Sequence, residues 1–273
     1  MYETHLTGHW MRGQVSLHWA EAGYRSTPAI DAQIEAEWRA VKARLGDRIF
    51  DGPMCRMEKI SCESNGQLRI ELSQTSYRIF VGTNMAHPAW AETIGRQVMA
   101  NTVGVSTTLI TADGFVMLGR RSDNVAYYPR MLHPFSGSLE PSKSVRPAQD
   151  TVSGTLASRP AHFLPLAAHP PDLFDEALRE LHEELGLSED TIVEIACIGI
   201  IEDLRLRHPE AILYARSTRT RQQIEQGLQG NEHTAAWHCP ASAAAIMVAL
   251  ADRSEFTPVA QGSLELLARH LGV

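Results

Sequence analysis

Apolar side chains recur at Ile30, Ile34, Trp38, Val41 and Leu45. That three-to-four spacing predicts an amphipathic helix. Ser26-Thr27-Pro28 supplies a hydroxyl cap and a proline for its first turn, and Gly46 a stop. Residues 14–20 partly alternate in polarity and predict a strand, as do Cys55–Lys59 and Leu68–Leu72, the last two joined by the turn Ser64-Asn65-Gly66. Residues 1–102 read as a small α+β N-terminal region. The next pattern is a hairpin, Val103–Ile110 and Phe115–Leu118 about the turn Thr111-Ala112-Asp113-Gly114. From about 142 to 170, Ser, Pro, Ala and His displace any period, and such a stretch inside a compact domain is expected to be functional or mobile. Pro171 precedes a helix over 172–185. Its apolar face is Phe174, Ala177, Leu178, Leu181 and Leu185, and Gly186 ends it. Strands at 191–201, 211–215 and 235–239 and helices near 241–251 and 258–271 complete the pattern. Strands and helices alternating in this way predict an α/β fold, a mixed sheet between helix layers, over 103–273.

Charge and composition narrow the functions open to such a fold. The chain has 273 residues, with 32 acidic side chains against 25 Lys and Arg, a net charge of −7. That balance argues against nucleic acid as a partner. It leaves room for a small anionic substrate, because a divalent cation can stand between carboxylates and phosphates. No run of about 18 apolar residues exists to span a membrane, and residues 1–11 lack the basic and apolar stretches of a secretory signal. Cys55, Cys62, Cys197 and Cys239 form no Cys-x-x-Cys pair, so neither a zinc site nor a disulfide framework is expected, and a cytoplasmic compartment fits. Oligomeric state has no signal here.

The chemistry is concentrated in Arg179-Glu180-Leu181-His182-Glu183-Glu184-Leu185-Gly186-Leu187. On a helix, Glu180, Glu183 and Glu184 stand at i, i+3 and i+4 and share about 100° of arc. Carboxylates so close repel one another unless a cation neutralises them. Hard oxygen ligands gathered this way suit Mg²⁺, or Mn²⁺, which also takes phosphate oxygens. Arg179, one turn before Glu183, can brace it. The plain alternative for the three glutamates alone is a solvated acidic helix face.

The complete string resembles the second half of the signature of Nudix hydrolases, Arg-Glu-aliphatic-x-Glu-Glu-x-Gly-aliphatic. The first half departs from that pattern: Pro165 and Pro171 stand where the usual spacing places Gly and Glu. A substitute glycine occurs earlier, in Phe135-Ser136-Gly137-Ser138-Leu139-Glu140-Pro141, ahead of the stretch from 142 to 170, which thereby reads as an insertion, expected at the mouth of the site. Scattered segments from about Ile30 to Leu267 are similar to the UDP-sugar diphosphatase branch found in mammals. They include Phe50-Asp51-Gly52-Pro53, Thr75–Asn84, Gly104-Val105-Ser106 and Arg120-Arg121-Ser122. The resemblance implies a Nudix α/β/α sandwich and Mg²⁺-dependent hydrolysis of UDP-glucose or UDP-galactose to UMP and sugar 1-phosphate. It implies Glu180 and Glu184 as metal ligands, and Glu183 as a third ligand or as the base for the attacking water. A carbonyl near Ser136 or Gly137 would complete the sphere, and Glu210 or Glu232 would add a distal carboxylate from a loop. In Thr75–Asn84, Tyr77 would stack on the base, Arg78 meet phosphate and Asn84 read a base edge, unless the segment is a hairpin that packs the two parts together. Of Arg120 and Arg121, alternation along a strand turns one inward. His182 is expected on the surface, Trp237, His238 and Cys239 at a strand end in the core, and His133 and His208 have no assigned role. The rival readings are another nucleoside diphosphate derivative, such as ADP-ribose, and a non-catalytic Nudix-fold binding module. An isopentenyl-diphosphate isomerase of the same fold would need a cysteine near the signature, and none is there.

Overall fold

The computed structural model describes residues 1–21, 23–141, 169–228 and 232–272. Most of the expected insertion, residues 142–168, therefore lies outside the described residues. In chain order the elements are β1 (Tyr2–Trp10), β2 (Val15–Trp19), α1 (Pro28–Leu45), β3 (Pro53–Cys62), β4 (Leu68–Ser76), α2 (Tyr77–Phe80), α3 (Trp90–Thr93), β5 (Gly104–Ile110), β6 (Phe115–Arg121), β7 (Leu132–His133), β8 (Phe135–Ser138) and α4 (Leu173–Leu185). There follow β9 (Ile192–Asp203), β10 (His208–Ser217), α5 (Arg221–Gly227), β11 (His233–Pro240), α6 (Ala243–Ala249) and α7 (Pro258–Leu271). Thr27 caps α1 by accepting from the Ile30 N–H, with Pro28 in the first turn. Asp172 caps α4 by accepting from the Phe174 and Asp175 N–H groups, and Gly186 ends it at φ 67°.

The large sheet runs β1-β9-β10-β5-β6-β11, with β8 beside β5 and β7 beside β6. Only β10 and β5 are parallel, in the register Glu210 to Gly104. Alternation along the strands gives the sheet two apolar faces. Ile110, Val116, Ile212 and Tyr214 pack under α7 through Val259, Leu264 and Leu267. Leu109, Met117 and Ala215 meet Leu181 and Leu185 of α4 on the other face. Burying each of those two leucines contributes about 1.5–3 kcal/mol. The result is the expected α/β/α sandwich with a mixed sheet. Among the described residues no helix is long and apolar enough to cross a membrane.

The smaller sheet, β2-β4-β3, shares a core with the larger one: Leu68, Ile70 and Leu72 pack with Phe174, Val105 and Leu213. The N-terminal strand β1 was not foreseen. It is the outer strand of the large sheet, antiparallel to β9. Its only buried residue is Trp10, so it carries almost no apolar alternation. Residue 102 thus marks where the second set of strands begins, and packing continues across it.

Candidate active site

Helix α4 places its glutamates by the angle each makes with the apolar face. At about 100° per residue, Glu184 lies about 40° from Glu180 on the side of Leu181 and Leu185, and Glu183 about 60° away on the other side. Exposure follows that order, at 5% for Glu184, 8% for Glu180 and 56% for the Glu183 side chain. The three share a helical arc as expected, but only two of them turn inward. Glu183 stands exposed at the rim, 2.7 Å from Nη1 of Arg179; of the three, Glu180 is the one that lines the cleft, and Glu184 is buried without lining it. Arg179 also holds Glu176 and Glu180. Glu176 was missed in the sequence, although Glu176, Glu180 and Glu184 form a row at i, i+4 and i+8 that could have revealed it.

Burial pushes the Glu184 carboxyl up to about 9, helped by the nearby charge of Glu232 and opposed by Arg121. Burial likewise raises Glu180 to about 8; Arg179 opposes the rise, and Glu184, Glu176 and Glu232 add to it. Neither carboxylate oxygen of Glu184 has a hydrogen-bond partner among the described residues, although His233 Nε2 lies 3.1 Å from one of them. His233 is itself held down to about 4, chiefly by burial and then by Arg121, so it is neutral near pH 7 and brings no charge to Glu184. Mutually repelling carboxylates, one without partners, fit a hard divalent cation. The backbone beside them fits too: a Cβ on Gly137 would overlap the Glu180 carboxylate. As the side chains stand, Arg179 neutralises Glu180. Among the described residues, the trio of acidic and His side chains whose ligand atoms all fall within 4.8 Å of one another is Glu3, His5 and Glu202. Glu202 there already faces Arg96 and Arg207.

Beside Glu180 opens a cleft of about 440 Å³. Arg179, Glu180, Ser136, Gly137, Glu140 and Glu232 line it together with Tyr77, Tyr127, Phe50, His208 and Arg121. Tyr77, Arg121, Gly137, Arg179, Glu180, Glu210 and Glu232 are thus brought together from distant parts of the sequence. Arg121 is the inward arginine of its pair. Its Nε donates to the Tyr127 carbonyl and its guanidinium lies 5.0 Å over the Tyr127 ring. Arg120 instead pairs with Glu255 at the surface. Glu210 is not a loop residue: it is buried within β10, with Oε2 accepting from Ser106 Oγ and Oε1 3.1 Å from His208 Nδ1. His208 and Tyr127 were not singled out as site residues. An aromatic pair, Tyr127-Tyr128, in the connection between β6 and β7 was a legible signal for the second.

Two expected nucleotide contacts are absent from the cleft lining. Arg78 is engaged with Glu35 at 3.0 Å and Asp51 at 3.2 Å, tying the segment before β3 to α1. Asn84 is fully buried; its Nδ2 donates to the Leu206 and Arg207 carbonyls, and its Oδ1 accepts from the Ala100 N–H and Thr83 Oγ1. Neither expected form of Thr75–Asn84 holds in full: after β4 the chain turns into α2 and a following π-turn, Val81–Met85, rather than a hairpin.

No family model matches the chain. It is 31% identical over 188 residues to uridine diphosphate glucose pyrophosphatase NUDT22 of Mus musculus, a match that covers 64% of this chain and 58% of the mouse protein. The human protein of the same name is 26% identical over 268 residues, covering 91% of this chain and 84% of that one. With the Arg179–Leu187 string intact on α4 beside the cleft, the chain resembles Nudix hydrolases in sequence, and it spans 58% of the mouse protein's length. Among solved structures, the MutT protein of Methanosarcina mazei gives a TM-score of 0.38 at 15% identity, over 62% of this chain and 94% of its own, a likeness too slight to carry weight. The helix that carries the signature-like string is α4, and the substitute glycine Gly137 lies on β8. Pro171 cannot supply the missing loop carboxylate, whereas Glu176 brings one to the same face.

Proposed function

We propose that this chain hydrolyses the diphosphate bond of a UDP-sugar, UDP-glucose or UDP-galactose, to UMP and sugar 1-phosphate. The observation that carries the reading is the mixed lining of the cleft. Carboxylates, arginines and the rings of Tyr77 and Tyr127 line one cavity. Glu180, Glu184 and Glu232 would hold Mg²⁺ or Mn²⁺. The bound ion would offset diphosphate charge and lower the pKa of a water. Glu210 is left out of that set because both its oxygens are engaged. Arg121 and Arg179 offer cationic donors to phosphate oxygens. Arg121 is fixed against Tyr127, so it orients phosphate with little loss of its own freedom. Tyr77 and Tyr127 offer flat surfaces to a base. The similarity to proteins named uridine diphosphate glucose pyrophosphatase supports the choice of uridine.

The test is kcat/KM for UDP-glucose, UDP-galactose, ADP-glucose and ADP-ribose with Mg²⁺, the products resolved by chromatography. A preference of about a hundredfold or more for the uridine compounds is expected, from two mismatched polar contacts in the wrong base. Equal use of the adenosine compounds would remove uridine from the proposal. No turnover of any of them, with Mn²⁺ also tried, would leave a binding module.

A further inference from the structure

His208 opens β10, is buried at 3% exposure and lines the cleft. Its surroundings determine which of its nitrogens is available. Nδ1 stands 3.1 Å from Glu210 Oε1. Glu210 is held in turn by Ser106 Oγ, 3.0 Å from Oε2. Its carboxylate also lies where a Cβ on Gly104 would stand, so the glycine on the parallel neighbour strand makes room for it. A carboxylate accepts hydrogen bonds, so Glu210 selects the tautomer of the imidazole with its hydrogen on Nδ1 and its lone pair on Nε2. That Nε2 is buried and has no hydrogen-bond partner among the described residues. An unpaired acceptor in such a place gains from any ligand that brings a donor.

The surroundings also limit what that donor belongs to. The His208 ring lies 5.2 Å from Phe80, which lies 6.3 Å from both Tyr77 and Tyr127. Tyr77 and Tyr127 line the same cleft. His208 thus stands in a cleft that also presents the rings of Tyr77 and Tyr127, and such flat surfaces suit a planar heterocycle.

We infer that His208 reads the nucleobase, its Nε2 accepting a hydrogen bond from a ring N–H. This inference rests on the UDP-sugar reading, in which that group is the N3–H of uracil. Glu210 is the positioning residue that keeps the lone pair on Nε2. Cytosine in the same pose turns a lone pair toward Nε2, as does adenine through N1. Methylation of uracil N3 removes the donor.

The experiment is calorimetric binding of UMP, N3-methyl-UMP, CMP and AMP to the full chain in Mg²⁺, with wild type and His208→Leu. Wild type is expected to bind UMP at least about tenfold more tightly than N3-methyl-UMP or CMP. His208→Leu should bind those three within about threefold of one another. The modified ligands test wild type even if the variant does not fold. Equal binding of UMP and N3-methyl-UMP by wild type overturns the inference while leaving uridine recognition in place. So does a folded His208→Leu variant that keeps the whole preference. Binding of AMP without binding of UMP overturns the uridine reading itself, and this inference with it.

Discussion

The carboxylate of Glu180 occupies the space that a Cβ on Gly137 would fill. The close approach joins the far end of a flexible side chain to a strand that pairs with Val105, so the strand itself has no need to move. Gly137→Ala is therefore expected to keep its fold and to push Glu180 out of place. The measurement is kcat/KM beside Tm. Activity should fall by about tenfold to a hundredfold, since a displacement of about 1 Å costs that much in a positioned site, while Tm shifts by only a few degrees. Unchanged kcat/KM would mean that the position of Glu180 against β8 is irrelevant to turnover.

Glu180, Glu183 and Glu184 are chemically alike and unequal in place. Replacement of buried Glu184 or Glu180 by Gln removes a proposed metal ligand from the inner face, and kcat should drop by at least about a hundredfold. Glu183→Gln loses an exposed partner of Arg179. Its kcat should drop by about tenfold or less, because Arg179 retains Glu176 and Glu180. A Glu183→Gln loss as deep as that of Glu184→Gln, at saturating Mg²⁺, would return the rim carboxylate to the reaction.

Asn84 separates structural from nucleotide-binding roles in the α2 region. Its amide makes four hydrogen bonds, to the Leu206 and Arg207 carbonyls before β10, to the Ala100 N–H and to Thr83 Oγ1, three of them in a buried setting. Asn84→Ala leaves those groups unpaired and should cost about 3 kcal/mol. In a chain of this size that is a fall of about 5–10 °C in Tm. Direct reading of a base by Asn84 would instead raise KM and leave Tm in place, so thermal melts and KM for UDP-glucose together decide between the two.

The same residues show what was legible in the chain. The string Arg179–Leu187 announced both a helix and its chemistry, because the period of 3.6 and the identity of the acids lie within nine adjacent positions. The hairpin of β5 and β6 was equally local. Orientation was less accessible. Glu183 carries the same chemical signal as Glu184, and only the position of Leu181 and Leu185 against the sheet decides which of them is buried. Asn84 and Arg78 read as polar groups available to a ligand, but their partners, Leu206 and Glu35, lie far away in sequence. β1 could not be read for a related reason: an outer strand with one buried residue leaves almost no pattern. His208 became informative only when the parallel pairing of β10 with β5 set Glu210 over Gly104 and beside Ser106.

Stability should depend on pH in the direction opposite to ordinary acid unfolding. Glu184 and Glu180 are carried by burial from 4.5 to about 9 and about 8. A carboxyl whose pKa is higher in the folded chain binds its proton more tightly there than in the unfolded chain. Its contribution is complete below its unfolded value, near 4.5, and is lost as pH rises through 8 and 9. In chelator, wild-type Tm should therefore fall between about pH 6 and about pH 9. Mg²⁺ binds the ionised carboxylates, so it should raise Tm more at the higher pH than at the lower. Other groups titrate over the same range, and Glu184→Gln isolates the contribution of this one. The amide has no proton to lose, so the variant should show a smaller fall in chelator and a smaller rescue by Mg²⁺. Differential scanning fluorimetry at both pH values, with and without the metal, makes the comparison. Parallel curves for wild type and Glu184→Gln would show that no ionisation cost is stored at Glu184, and the case for a cation there would lose its physical basis.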